Sequence, residues 1–341
     1  MAVTAAALQA LKLGQLKNIA VRCGINSSGT KHALASRIFS EIAVTDAIAI
    51  APADAAPRSN AATPDERRTP GRGAGSTRVL SIDMGIRNLA YCVFDAPPFP
   101  RPRGIRASSP AMPSLIAWKR LAVSPRPDAS RLESARETFE PQTFASLAYL
   151  LLVDTLLSYG PTLVLIERQR YRSAGSSAVQ EWTVRVNMFE GMLYAVLHTL
   201  HAEGRWKGTV RGVTPGKVGG FWVGGTATST AKSAKWRNKT AKIDLVGSWL
   251  EAGGNGVLAL GTDEASQTAS AFLERWKGRG KRRSASKTSD TVTAAEGADE
   301  RPSKLDDLAD CLLQGLAWIR WEENKLRIRA KGAAALEEDA E

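Results

Sequence analysis

Short apolar runs along the chain alternate with longer stretches of helical periodicity. Runs rich in β-branched residues predict five strands, at Val79–Asp83, Leu89–Phe94, Leu115–Leu121, Leu163–Glu167 and Thr209–Val213. Helical spacing predicts five helices, at about Pro141–Tyr159, Ala178–His201, Ala231–Glu251, Glu264–Lys277 and Lys304–Arg327. Three successive strands followed by alternating helices and strands indicate an α/β domain over residues 78–328, with a mixed sheet flanked by helices and an antiparallel edge.

A separate helical unit is predicted before this domain, in residues 1–42. Leu8, Leu16 and Ile19 recur at helical spacing, turn residues follow from Cys23, and a second apolar stripe begins at Leu34. The segments outside these units lack periodicity. They are interpreted as a flexible linker at 43–77, a proline-rich insert at about 96–113, a disordered basic insert at about 278–303, and a tail at 329–341.

The charge balance favours a polyanionic partner. The 341 residues include 46 Lys and Arg against 34 Asp and Glu, a formal net charge of +12, which is typical of proteins that bind nucleic acid. No apolar run approaches the roughly 20 residues of a membrane-spanning helix, so no membrane partner is expected. No acid precedes Glu41, and this indicates either mitochondrial targeting or a folded basic module.

Five carboxylates stand where a strand or a helix would present them to one point. Asp83 and Glu167 each close an apolar run, while Asp306, Asp307 and Asp310 open the last helix. Carboxylates without histidine suit Mg²⁺, with Mn²⁺ as a substitute, and such a set could hold two ions against a phosphodiester. At about 100° per residue, Asp306 and Asp307 both flank Asp310, so helix geometry does not choose between them.

Three motifs containing these acids resemble the fungal mitochondrial Holliday-junction resolvase family, which is related to RuvC-type resolvases of ribonuclease H-like fold. The motifs are Ser81–Ala90, Ile166–Arg172 and Lys304–Asp310, and the segment Gly29–Ile38 resembles a SAP module, a small DNA-binding unit. The resemblance implies a mitochondrial endonuclease, a nuclear location being the alternative. It would act as a homodimer on four-way DNA junctions and leave 5′-phosphate ends.

By the same resemblance, Asp83, Glu167 and Asp310 are metal ligands together with Asp306 or Asp307. Asp307 is preferred because its i,i+3 spacing to Asp310 resembles that of the bacterial resolvases. Basic and aromatic residues near these motifs, in the N-terminal unit and on the predicted helix at 231–251 are interpreted as DNA contacts. They are Arg87, Arg168, Arg170, Tyr171, Arg172, Lys31, Lys235, Arg237 and Lys239.

Three other functions remain open from the sequence. The run Ile82–Gly85 also resembles the first phosphate loop of actin-like and sugar kinases, although no convincing second glycine-rich loop follows. A SAP-tethered nucleic-acid-binding protein without catalysis is the second, and the complete acid set argues against it. A ribonuclease-type RNA processor is the third, which the acids alone do not distinguish.

Overall fold

The structure, a computed structural model of the chain, describes eight segments. These are residues 3–44, 77–97, 112–123, 139–169, 181–224, 231–254, 256–285 and 300–333. Most of the predicted linker and the proline-rich insert lie outside the described residues, as do residues 286–299 of the basic insert and most of the tail. No helix among the described segments is long and apolar enough to cross a membrane.

A six-stranded mixed sheet forms the centre of the molecule. Its strands are β1 (Thr77–Asp83), β2 (Leu89–Ala96), β3 (Ser114–Leu121), β4 (Leu163–Glu167), β5 (Thr209–Val213) and β6 (Ala259–Leu260). Their order is β5-β4-β1-β2-β3-β6; β2 is antiparallel to β1 and β3, β4 and β5 run parallel to β1, and β6 is parallel to β3. The five predicted strands and the mixed sheet are confirmed. The two-residue β6 is too short to leave a sequence pattern.

Nine helices appear in the described residues. They are α1 (Ala5–Ala10), α2 (Leu13–Arg22), α3 (Lys31–Val44), α4 (Pro141–Leu150), α5 (Glu181–Ala202), α6 (Pro215–Val223), α7 (Ala231–Glu251), α8 (Asp263–Ala285) and α9 (Glu300–Lys331). The predicted helix at 141–159 is α4 followed by a π-helical turn and a 3₁₀ turn. The insert predicted at 278–303 is shorter, because α8 continues to Ala285 and α9 already begins at Glu300.

The two faces of the sheet carry separate hydrophobic cores. Successive strand residues point to opposite faces, so Val79 and Leu165 pack against α6 to α9, while Leu80 and Val164 pack against α4 and α5. Because both faces are covered, β1 and β4 are apolar along nearly their whole length. Polar side chains at the ends of these strands are therefore exceptions that need an explanation.

The N-terminal helices pack directly onto α9. Ile328 is fully buried among the apolar side chains of α1 to α3, and Asn324 donates a hydrogen bond to the Arg22 carbonyl at 2.6 Å. Gly24 has φ +65°, and a Cβ added there would lie 2.3 Å from Trp321 Cδ2, so only glycine permits this close approach. Although its linker lies largely outside the described residues, the N-terminal unit is a docked part of the molecule.

Candidate active site

Strand periodicity brings Asp83 and Glu167 together on one face of the sheet. Asp83 follows Val79 and Ser81 at alternate positions, and Glu167 likewise follows Leu163 and Leu165, so both acids point toward α9. The parallel register pairs Ile82 with Ile166, which sets the two carboxylates side by side at the carboxyl ends of adjacent strands. This is the edge of a parallel sheet at which ligands commonly bind.

Helix α9 is held tightly across this face. Ser81 Oγ donates to the Cys311 carbonyl at 2.9 Å, and Gln314 Nε2 donates to Ser81 Oγ and the Ile82 carbonyl, both at 3.1 Å. On the next strands, Trp118 Nε1 donates to the Leu308 carbonyl at 3.0 Å. A Cβ at Gly315 would lie 2.7 Å from the Phe94 ring, so the backbone of α9 approaches the sheet closely. These contacts fix the position of α9 along the sheet, and with it the position of the α9 acids relative to Asp83 and Glu167.

Asp83 lies in an environment that opposes its negative charge. Burial is the largest effect, and the charge of Glu167, a hydrogen bond with Glu167 and the charge of Asp310 add to it; together they raise the pKa of Asp83 well above its usual value. Two carboxyl groups in hydrogen-bond contact require a shared proton or a neutralising cation. The structure thus brings Asp83, Glu167 and Asp310 into one electrostatic cluster.

Each acid of α9 contacts a different basic residue. Asp310 accepts a hydrogen bond from Lys242 at 2.7 Å, and the largely buried Asp306 contacts Lys239; both lysines lie on α7. Asp307 accepts from Arg120 Nε of β3 at 2.9 Å. Asp306 and Asp307 therefore point to different elements.

Asp307 is tied to the turn that follows Asp83. Its partner Arg120 also donates to the side chain of Asn88, which closes the β1–β2 connection. Within that connection, a Cβ at Gly85 would lie 3.1 Å from the Asn88 carbonyl carbon, so the turn is tight. Burial raises the pKa of Asp307 to about 6, although Arg120 acts in the opposite direction.

The donor set fits a hard divalent cation, but the carboxylates are not arranged around one. Among the described residues, no three His, Cys, Asp or Glu side chains stand close enough to enclose a metal ion. Two of the carboxylates are instead engaged in ion pairs, Asp310 with Lys242 and Asp307 with Arg120. Asp83 and Glu167 nevertheless offer adjacent carboxylate oxygens that repel each other when both are ionised, and Mg²⁺ or Mn²⁺ would relieve this repulsion.

The residues after Glu167 are positioned by a further acid that the sequence did not single out. Gln169 Nε2 donates to Glu167 at 3.1 Å, and the Gln169 backbone N–H donates to Glu190 of α5 at 3.1 Å. Burial raises the pKa of Glu190, with a smaller contribution from the charge of Glu167. Glu190 thereby anchors the segment that leads out of the site. It lacks a local signal because it lies in the middle of an amphipathic helix.

The residues predicted to contact DNA are found in several places. Arg168 is exposed beside Glu167, Arg87 is exposed with its guanidinium 5.2 Å from the centre of the Trp182 ring, and Lys31 is exposed at the start of α3. Lys239 is engaged by Asp306, a contact that was not predicted. The side chains of Lys235 and Arg237 on α7 lie outside the described set, as do all of Arg170, Tyr171 and Arg172.

The overall fold is shared with a solved structure. The chain is similar to the crystal structure of the yeast mitochondrial Holliday junction resolvase Ydc2, with a TM-score of 0.54 and 23% sequence identity. The match covers 96% of this chain and 98% of that one. At this level of identity the similarity establishes the fold, which confirms the predicted ribonuclease H-like class.

Sequence comparison identifies the family. Residues 79–328 match the family model described as mitochondrial resolvase Ydc2 / RNA splicing MRS1, and the chain belongs to this family. One relative is the mitochondrial cruciform cutting endonuclease 1 of Schizosaccharomyces pombe, 26% identical over 253 residues, 72% of this chain and 79% of that protein. The protein of the same name from Saccharomyces cerevisiae is 21% identical over 267 residues, 73% of this chain and 70% of that one.

Membership confirms the resolvase resemblance predicted from the three acidic motifs. The family description agrees with the predicted mitochondrial location and with the predicted function as a resolvase, a nuclease. The match begins at residue 79, so it does not include the N-terminal helices. Their SAP-like identity remains a prediction.

Proposed function

We propose that the chain cuts four-way DNA junctions by metal-dependent phosphodiester hydrolysis at the cluster of Asp83, Glu167 and Asp310. The observation that carries this proposal is the contact between Asp83 and Glu167, with Asp310 close enough to add to their electrostatic repulsion. Nothing in the fold requires Asp83 and Glu167 to be in contact, and this pair lowers stability unless it shares a proton or binds a cation. A metal-dependent reaction gives this arrangement a purpose.

Asp83 and Glu167 are the central ligands in this proposal, and Asp310 completes the site from α9. When bound, two Mg²⁺ ions would activate a water for in-line attack and stabilise the leaving 3′-oxygen, giving 5′-phosphate and 3′-hydroxyl ends. Lys242, 2.7 Å from Asp310, neutralises that acid in the metal-free protein. If Asp310 binds a metal, the ion pair between Lys242 and Asp310 would weaken.

Asp307 is our choice for a fourth ligand. The bridge through Arg120 to Asn88 ties Asp307 to the turn directly after Asp83, whereas Asp306 is largely buried and turned toward Lys239 on α7. Asp306 then serves mainly to fix α7 against α9. This choice keeps the i,i+3 spacing to Asp310 that the sequence favoured.

The proposed substrate is the four-way junction, and the proposed assembly is a homodimer. The relatives are named for cutting cruciforms, and a net charge of +12 suits a substrate with a dense phosphate backbone. Two coordinated nicks need two active sites, which a twofold-symmetric dimer supplies. The exposed Arg168 and Arg87 are proposed to contact phosphates, as are Arg170, Tyr171 and Arg172, which follow Arg168 in the sequence.

A role in RNA splicing is the second candidate, because the family description also names RNA splicing MRS1. Binding RNA without cutting it would not require the Asp83–Glu167–Asp310 cluster. The intact cluster therefore favours the nuclease.

Direct metal binding tests the proposal before any cleavage assay. Calorimetric titration of the purified protein with Mn²⁺ should show binding that Asp83→Asn and Glu167→Gln each weaken at least tenfold. Asp154→Asn is a matched control, since Asp154 lies in the turn after α4, away from the sheet edge. Equal Mn²⁺ affinity in wild type and both site variants would refute the assignment of the ligands.

A further inference from the structure

A group of basic side chains lies where the N-terminal helices meet the catalytic sheet. Lys217 stands in the first turn of α6, which contacts α2, and α3 in turn contacts α9. Within the described residues, the partly buried Lys217 ammonium has neither a hydrogen-bond acceptor nor a carboxylate at ion-pair distance. The ammonium is therefore available to bind an external anion.

The surroundings of Lys217 make its position less favourable. Burial lowers the pKa of Lys217, and the like charges of Lys325, Arg37 and Arg168 lower it further; only Glu41 opposes them. Lys325 is itself paired with Glu322 at 2.7 Å and lies 3.9 Å from Glu41. Lys217, Arg37 and Arg168 are the other positive charges close together at this interface.

These cations are fixed by backbone contacts on each side of the interface. The Arg168 backbone N–H donates to the Val213 carbonyl at 2.8 Å, and its side-chain stem lies over Gly212, where a Cβ would be 2.8 Å from Arg168 Cγ. Val213 ends β5, and α6 with Lys217 follows directly. On the N-terminal side, Arg37 donates to the carbonyls of Asn26 and Ser28 at 2.6 and 2.9 Å.

We infer that Arg168, Lys217 and Arg37 form a phosphate track that guides one duplex arm of the junction from the active site onto the N-terminal helices. This inference rests on the proposed junction nuclease, because Arg168 directly follows the metal-site residue Glu167. The backbone of duplex DNA carries one negative charge per about 1.7 Å of helix axis. The phosphates of such a backbone would bind Arg168, Lys217 and Arg37 in succession. The N-terminal unit then acts as a fixed extension of the active-site cleft.

Lys217 is the residue that tests the track, since its ammonium makes no hydrogen bond or ion pair with the residues that the structure describes. Binding of a fluorescent four-way junction is measured by anisotropy in EDTA over a range of NaCl concentrations. With about 0.9 of log-salt slope per neutralised phosphate, Lys217→Gln should flatten the slope by about 0.9 and weaken binding about eightfold at about 0.1 M salt. Lys217→Arg should retain both the slope and the affinity.

Lys207→Gln is the matched control. Lys207 is exposed in the loop before β5, at the opposite end of that strand from Val213, and its removal should leave the slope unchanged. Thermal unfolding separates a binding role from a structural one, because Lys217→Gln removes like-charge repulsion and should unfold at the same temperature as wild type or higher.

Three results would overturn the inference. They are an unchanged slope and affinity in Lys217→Gln, a loss of affinity without a change in slope, and a lower unfolding temperature that accounts for the loss. A wild-type protein that binds the junction no better than a linear duplex would instead count against the proposed function. The two failures are therefore distinguishable within one set of titrations.

Discussion

The contact between Gly24 and Trp321 predicts that one methyl group will disturb the docking of the N-terminal helices. In Gly24→Ala the added Cβ meets the Trp321 indole at 2.3 Å, and Trp321 is buried against Phe221 with 6.0 Å between ring centres. The left-handed φ of +65° costs an L-residue about 1–2 kcal/mol. Overpacking a rigid aromatic ring adds about 1–3 kcal/mol. Together they predict a loss of about 2–5 kcal/mol in the free energy of unfolding.

Urea unfolding, followed by tryptophan fluorescence and by circular dichroism, measures this loss. Gly14→Ala is the control in the same unit: nothing lies within 4 Å of its added Cβ, and it sits in the first turn of α2, so it should be neutral or stabilising by up to about 1 kcal/mol. Gly24→Ala should also become sensitive to protease between the N-terminal helices and β1. If Gly24→Ala unfolds within about 0.5 kcal/mol of wild type, a difference typical of surface substitutions, the docked interface described above is wrong.

Three further predictions concern the site and the thiols. Asp83→Asn should abolish cleavage while junction binding stays intact or tightens, because a ligand and a negative charge facing phosphate are lost together; retention of a tenth of the wild-type single-turnover rate would contradict this. In nicking assays with Mg²⁺ and with Mn²⁺ rescue, Asp307→Asn should lower the rate as much as Asp310→Asn, whereas Asp306→Asn should have a mild effect. If Asp306→Asn were the damaging variant and Asp307→Asn the mild one, Asp306 would be the fourth ligand instead of Asp307. Burial raises the pKa of Cys23 to about 12, so in Ellman's assay at pH 8 it should react only after denaturation, and fast native labelling would show that α1 to α3 open.

The sequence was sufficient to predict the sheet and the two strand acids for a simple physical reason. Period-two alternation assigns each strand residue to a face, and Asp83 and Glu167 occupy the same phase as the apolar residues that face α9. Their convergence also requires β4 to lie beside β1, which the resemblance to the ribonuclease H-like resolvases implied and the structure shows. Helix α9 was also predicted from the sequence, because its apolar stripe is long and continuous.

What the sequence did not predict depends on tertiary contacts. Helix α6 contains three glycines, so its intrinsic helical propensity is poor; it forms because Phe221 and Trp222 pack against α9 and α7, with Trp222 Nε1 donating to the Leu313 carbonyl at 2.9 Å. No helix was predicted from the sequence at these positions.

The basic partners of the α9 acids could not be predicted from the sequence either, because they also depend on tertiary contacts. Arg120 lies on β3 and Lys242 on α7, each far from α9 along the chain, and neither carries a local signal for a carboxylate partner. Helix angles left Asp306 and Asp307 equivalent. Only their different partners, Lys239 and Arg120, separate them.

The central claim is that acids from β1, β4 and α9 form a metal-dependent centre for cutting DNA junctions. The most direct test is a single-turnover assay with saturating protein on end-labelled four-way junction, linear duplex and RNA–DNA hybrid, each with Mg²⁺ and with EDTA, and with Asp83→Asn in parallel. We expect Mg²⁺-dependent paired nicks in the junction, ligatable without a kinase because their ends carry 5′-phosphate. We expect little cutting of the other substrates and none by the variant. Junction cleavage that persists in EDTA or in Asp83→Asn, or equal cleavage of linear duplex, would contradict a metal-dependent, junction-selective centre at these acids.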